Sequence, residues 1–253
     1  MFPEKEERML IHEDSELETA AMCGDFDVIV PVSIYLPCGE GEPEITAYRN
    51  VWDICRKYET ENFSDILDGP ALGGLLCELA PVVREMGYDI DLKGSKIILE
   101  YRAERVTSAI EKYAGGADIV ETGMELEGLE CPLIHRPEPD GLDETDVCAV
   151  VVKSGEICAC AGVNDLSDDD LYEIFVETAV PYRGHGYGTA AVAALARRLI
   201  DIGCTVGYRC AETNRASLRI AEKLGMTYTG KRFSVICYAG ELKVNPPVDD
   251  GLL

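Results

Sequence analysis

Apolar residues recur along this chain in two rhythms, and the changes between them mark its elements. Alternation, or short apolar runs closed by turn residues, predicts strands at 27–35, 96–101, 147–152, 157–163, 171–178 and 205–210. Apolar residues three and four apart predict helices over 51–58, 71–86, 104–113 and 186–202. The last of these aligns Ala191, Val192, Leu195, Leu199 and Ile202, with Gly203 as its stop. Asn214 is a good N-cap for a further helix that buries Leu218, Ala221 and Leu224. Residues 226–238 read as two final strands hinged near Gly230. Lys153-Ser-Gly-Glu156 between two strands is a hairpin signal.

The remaining segments read as connections. Residues 1–20 form an acidic lead, and the Pro- and acid-rich stretch 131–146 reads as a linker. The acidic run 165–170 lacks the glycine and closing glutamate of a calcium loop, so a surface turn fits it better. No internal repeat is present.

Composition narrows the class. An apolar fraction of 47% supplies a core for a folded chain of 253 residues. No apolar run approaches a membrane span, and the opening residues lack a signal peptide's apolar stretch, so a cytoplasmic protein without membrane contact is expected. Eleven cysteines, an odd number at scattered spacings with no C-x-x-C, argue for reduced thiols. The three histidines form no ligand cluster, and no metal is expected.

Charge then separates the chain into regions. The net charge of −24 excludes nucleic acid as a partner. Residues 1–130 hold 29 Asp/Glu against 11 Lys/Arg, whereas residues 183–232 hold nine basic residues (183, 197, 198, 209, 215, 219, 223, 231 and 232) against three acidic ones. A basic island in an acidic protein suits an anionic, phosphate-bearing ligand. Such residues also fit solvated helix faces.

The island begins at a distinctive turn. Arg183-Gly-His-Gly-Tyr-Gly-Thr189 joins a strand to a helix, removing side chains where phosphates can meet backbone N–H groups at a helix N-terminus. It is not a dinucleotide fingerprint, because Thr189 stands where the third glycine belongs, and it lacks the Gly-Lys-Ser/Thr of a P-loop. Asn214-Arg-Ala-Ser217 and Leu224-Gly-Met226 follow downstream.

These motifs, in this order and spacing, resemble the GNAT superfamily of acyl-CoA N-acyltransferases. The resemblance covers residues 146–238. It implies an α+β fold with a central mixed sheet flanked by helices; residues 1–90 match no part of the family pattern and read separately as an acidic α+β N-terminal region. The expected division is an accessory region at 1–90 and an acetyltransferase domain at 91–253. Arg183, Gly186 and Gly188 match the defining positions of the family's pyrophosphate loop. The resemblance therefore implies that Arg183, Gly184, His185, Gly186, Tyr187, Gly188 and Thr189 receive the phosphates of acetyl-CoA. Val176, Glu177 and Thr178 would offer backbone groups to pantetheine, and Asn214 and Ser217 would lie along the cofactor arm. The pre-loop proline is shifted to Pro181. Where many members carry a tyrosine as general acid, this chain has Ala221, which leaves that role unassigned.

The implied reaction is acetyl transfer from acetyl-CoA to a small-molecule or peptide amine by direct attack in a ternary complex. A protonated amine needs a base. Glu173 and Glu177 share one face of the strand beside the cofactor by two-residue alternation, and either also fits an ion-paired carboxylate. Backbone N–H near Val176 would hold the oxyanion. Coenzyme A thiolate, with a pKa near ~8.5 as for free Cys, leaves without strong acid help. Tyr208 is a further donor candidate and also fits a packed strand tyrosine. The acidic surroundings favour a cationic acceptor, and a homodimer is a candidate assembly. Two alternatives remain at this point: a non-catalytic coenzyme A-binding module acting through a protein partner, and a transferase using a longer acyl donor.

Overall fold

The computed structural model describes residues 27–39, 41, 43–58, 67, 70–137, 139, 146–164 and 171–239. The acidic lead, the 165–170 run and the chain beyond 239 lie outside these residues. Two compact units divide the chain, one comprising Met1–Leu99 with Gly230–Val248, the other Glu100–Thr229 with Asp249–Leu253.

In the first unit, β1 (Val28–Pro37) pairs antiparallel with both β2 (Glu44–Ala47) and β10 (Thr227–Ala239), and β10 also pairs with the short β3 (Tyr88–Ile90). Alternating Val and Ile residues bury one face of β1, and α1 (Trp52–Tyr58) and α2 (Pro70–Glu85) contribute to the same core. Pro70 stands at the first position of α2, where its missing N–H has no intrahelical role, and Leu75, Leu79 and Val83 form the buried stripe.

The strand β10 corrects the expectation of two strands hinged at Gly230. It is continuous, because the glycine serves a close approach rather than a turn. A Cβ there would lie 2.4 Å from Leu36 O and 2.8 Å from Tyr35 Oη.

The second unit holds the mixed sheet. The strands β5 (Asp118–Val120), β6 (Cys148–Lys153), β7 (Glu156–Asn164) and β8 (Leu171–Thr178) pair antiparallel in turn, and β9 (Thr205–Ala211) pairs parallel to β8. Next to β9 comes β4 (Ile97–Ala103), which begins before the unit boundary. The predicted hairpin joins β6 to β7 through Ser154 and Gly155, both at positive φ (53° and 87°), the geometry that matches strand twist in a two-residue turn.

Helix α4 (Tyr187–Asp201) is the crossover between β8 and β9. Its Ala-rich sequence is buried almost all round, from Gly188 through Ala196 and at Leu199. Helix α3 (Ser108–Ala114) starts later than the expected 104 because Thr107 is its N-cap, Oγ1 accepting from Ile110 N at 3.0 Å. The same Oγ1 donates to Leu224 O at the end of α5 (Arg215–Leu224), at 2.7 Å. Asn214 caps α5 as expected, its side chain accepting from Ser217 N at 3.2 Å.

The stretch read as a linker is tied down where it is described. Arg136 donates to Leu126 O and Leu129 O, and Glu130 bridges to Glu156. These bonds lie within one unit, so its prolines and acids shape a loop there. All ten described cysteines are unpaired and six are buried. No described helix is long and apolar enough to cross a membrane.

Candidate active site

The parallel pairing of β8 with β9 runs only from Leu171↔Thr205 through Glu173↔Gly207. Beyond that point β8 continues to Thr178 and β9 to Ala211 with no pairing between them. The strands therefore part in mid-sheet and leave backbone groups on β8 without a sheet partner on that side.

A cleft of about 560 Å³ is lined by the free end of β8, by the turn that follows and by the starts of α4 and α5. It brings together Val176, Glu177, Thr178, Arg183, Gly184, His185, Gly186, Tyr187, Gly188, Thr189, Asn214 and Ser217, every residue the sequence assigned to a cofactor.

Local geometry explains the turn. Gly184 and Gly186 adopt φ of 81° and 84°, and a Cβ at either would meet nothing within 4 Å, so the turn faces open space. Gly188 has a different task. A Cβ there would lie 2.8 Å from Thr178 Oγ1 and 3.4 Å from Val176 Cγ2, so this glycine lets α4 pack closely on β8. The first internal bond of α4 runs from Ala190 N to Gly186 O. The N–H groups of Tyr187, Gly188 and Thr189 precede it and meet no backbone acceptor among the described residues, which leaves a helix N-terminus suited to an anion.

The side chains add positive charge. Arg183 is braced by Nε donating to Thr178 O at 3.1 Å, and its terminal nitrogens are free among the described residues. The Nδ1 of His185 lies 3.2 Å from Tyr182 O and 3.1 Å from Arg183 O, so a proton there secures the turn, and its ring stacks on Tyr187. Beside the turn, Tyr182 donates to Glu156, which pushes the phenol pKa up to about 12.

The cleft also holds Tyr182, Ala216, Arg219, Ile220 and Lys223, which the sequence reading did not assign. Helical phase was the available signal for the last four, since 216, 219, 220 and 223 fall on one face of α5. Phase also divides the basic island. Arg183, Arg219 and Lys223 line the cleft, whereas Arg197 pairs with Glu111 and Asp201, Arg198 with Glu121, and Arg209 with Glu100 and Glu173.

The three residues considered for catalysis fall in different settings. Glu177 lines the cleft with its side chain only 10% exposed. Its Oε1 accepts from Ile134 N at 2.5 Å and its Oε2 from His135 N at 3.2 Å, with His135 Nδ1 at 3.7 Å. Glu173 sits at the last paired position before the strands part. Its Oε2 is 3.1 Å from Arg209 Nη1, but the approach is off the axis of a hydrogen bond, and this buried oxygen makes none. Burial raises the pKa of Glu173, Arg209 and Asn164 pull it down, and Glu100 pushes it up.

Tyr208 is 2% exposed and is not among the cleft residues. Burial raises its pKa well above the phenol range, with Ser217 opposing. Its Oη nonetheless lacks a partner of hydrogen-bond geometry, so the influence of Ser217 is one of proximity. Ala221, at the position of the missing tyrosine, is fully buried.

Residues 120–226 match the model of the acetyltransferase (GNAT) family. Over this stretch, less than half of the chain, the protein is similar to that family. No curated protein matches the chain. Among solved structures it is similar to an acetyltransferase from the GNAT family of Colwellia psychrerythraea, at 14% identity over 56% of each chain with a TM-score of 0.42. It is also similar to a GCN5-related N-acetyltransferase-like protein from Streptococcus suis, at 18% identity, covering 82% of this chain and 88% of that one with a TM-score of 0.44. A third, a GCN5-related N-acetyltransferase from Kribbella flavida, shows 16% identity over 64% of this chain and 63% of that one, with a TM-score of 0.43. The matched stretch lies within the unit that carries the parted strands and the cleft.

Proposed function

We propose that this protein transfers the acetyl group of acetyl-CoA to an amine by direct attack within one ternary complex. The observation that carries this reading is the parting of β8 and β9 directly before a glycine turn with open helix N–H groups. The residues fit a coenzyme A arm. The first turn of α4 and Arg183 suit a pyrophosphate, Arg219 and Lys223 supply further positive charge, and unpaired β8 backbone suits the amides of pantetheine.

On this reading Glu173 is the base. Glu177 already uses both oxygens to hold backbone N–H groups, whereas Glu173 keeps an oxygen without a hydrogen bond. The ammonium proton passes to Glu173, directly or through a water. The nitrogen lone pair then attacks the thioester carbonyl and forms the C–N bond. The tetrahedral adduct collapses with the C–S electron pair leaving on sulfur, and the second N–H proton passes to the departing thiolate directly or through solvent. The acidic chain favours a cationic acceptor, whose encounter rate salt would screen.

A screen of amines with acetyl-CoA, following free thiol, tests the reaction, and calorimetry with coenzyme A tests the cleft. Thiol release that depends on an amine supports transfer. Tight coenzyme A binding with no turnover on any amine would favour the non-catalytic module, and thiol release from longer thioesters alone would identify a different donor.

A further inference from the structure

Three neighbouring strands of the second unit each bring one charged side chain to a common cluster: Glu100 from β4, Arg209 from β9 and Glu173 from β8. Arg209 Nε is 3.3 Å from Glu100 Oε1, and its Nη1 is 3.1 Å from Glu173 Oε2. The Glu100 side chain is 7% exposed and that of Glu173 17%, so water screens neither fully. One guanidinium thus serves two desolvated carboxylates. This sharing has a chemical consequence. A carboxylate holding an arginine to itself stays ionised to low pH and is a feeble base, whereas one buried without a cation keeps its proton at neutral pH.

We propose that Glu100 and Arg209 are positioning residues for the proposed acetyl transfer: Arg209 holds Glu173 ionised where the strands part, and Glu100 draws off enough of that positive charge to leave Glu173 basic. The inference rests on Glu173 being the base. Asn164, its register partner on β7, is uncharged, and Arg102, the next residue on that side of β4, is exposed and forms no ion pair with it among the described residues.

The two partners are expected to act in opposite directions, which a purely structural role would not produce. Protein labelled with ¹³C at glutamate carboxyls is titrated by NMR, with the Glu173 signal assigned by its loss in Glu173→Gln. Glu100→Gln leaves Arg209 to Glu173 alone, and the Glu173 midpoint should fall by about one pH unit or more. Arg209→Met removes the cation, and the midpoint should rise by a similar amount. Arg209→Lys keeps the charge and should stay between the two, which preserves the test if the Met variant fails to fold. The acid limb of kcat/KM for a responding amine should move with each midpoint. Midpoints that stay fixed, or that move the same way in Glu100→Gln and Arg209→Met, overturn the proposal. The titration needs neither donor nor acceptor. Opposed shifts without any acetyl transfer would therefore retain the electrostatic triad and reject the transferase reading, while transfer with unmoved midpoints would do the reverse.

Discussion

The two ends of β8 carry the same residue on the same face of the same strand, yet they hold it in opposite states. At Glu177 both carboxylate oxygens are committed to the N–H groups of Ile134 and His135, which pins the 133–135 segment beside the cleft. At Glu173, four residues earlier, one oxygen is buried without a hydrogen bond and faces a shared arginine. A fully satisfied carboxylate is an anchor, and an incompletely satisfied one remains available to take a proton. Only Glu177 lines the cleft; Glu173 sits where the strands part, outside its lining.

Breaking the reactive end should have the largest effect. Glu173→Gln should lower kcat by about 10²-fold or more, within the range for loss of a general base, with little change in coenzyme A affinity by calorimetry. An undiminished kcat would move the base elsewhere. The same substitution should reveal a stability effect of defined sign. Because burial raises the folded-state pKa of Glu173 above its ordinary 4.5, its contribution to stability is fully present below that value and is lost as pH rises through the folded pKa. The Gln variant cannot ionise, so its Tm should gain on the parent as pH is raised above about 4.5.

At the anchored end, Glu177→Ala should act on structure first. Two backbone donors lose a charged acceptor, and stability should fall by about 2 kcal/mol in denaturant unfolding. Its acid limb should match that of the parent. A shifted limb with unchanged stability would exchange the roles of the two glutamates.

Further along the cleft, Arg183→Ala should weaken coenzyme A by about tenfold, the scale of one charge-assisted contact, and leave a phosphate-free pantetheine fragment unaffected. Equal losses for both ligands would make Arg183 a brace for Thr178 alone. The smallest effect is expected at Tyr208. Its hydroxyl is buried without a partner, so Tyr208→Phe should leave Tm unchanged or slightly higher and kcat intact. A large fall in kcat would instead assign it the proton returned to the thiolate.

The contrast along β8 was out of reach of the sequence. Two-residue alternation correctly puts 173 and 177 on one face, but the groups that distinguish them come from β4, β9 and the 133–135 segment, all remote in the chain. What sequence made legible was local: glycines at 184, 186 and 188 before an apolar helix, Asn214 as a cap, and the 153–156 hairpin. Each of these is determined by a few consecutive residues. Local signals also misled. Gly230 reads as a hinge because glycine marks turns, while its actual requirement is the nearness of β1. The strands at 44–47, 88–90 and 118–120 are too short to show any period. The basic island mixed two populations, because proximity in sequence ignores the helical phase that sends Arg197 to Glu111 and Arg219 to the cleft.

The hydroxyl of Thr107 accepts from the first turn of α3 and donates to the last carbonyl of α5, so one oxygen closes two helix ends at once. Fraying at either end should then weaken the cap that the other end shares, coupling the opening of the two helices. Helix α5 presents Arg219, Ile220 and Lys223 to the cleft. A ligand that quiets this helix should therefore slow amide exchange at Ile110, a residue that does not line the cleft.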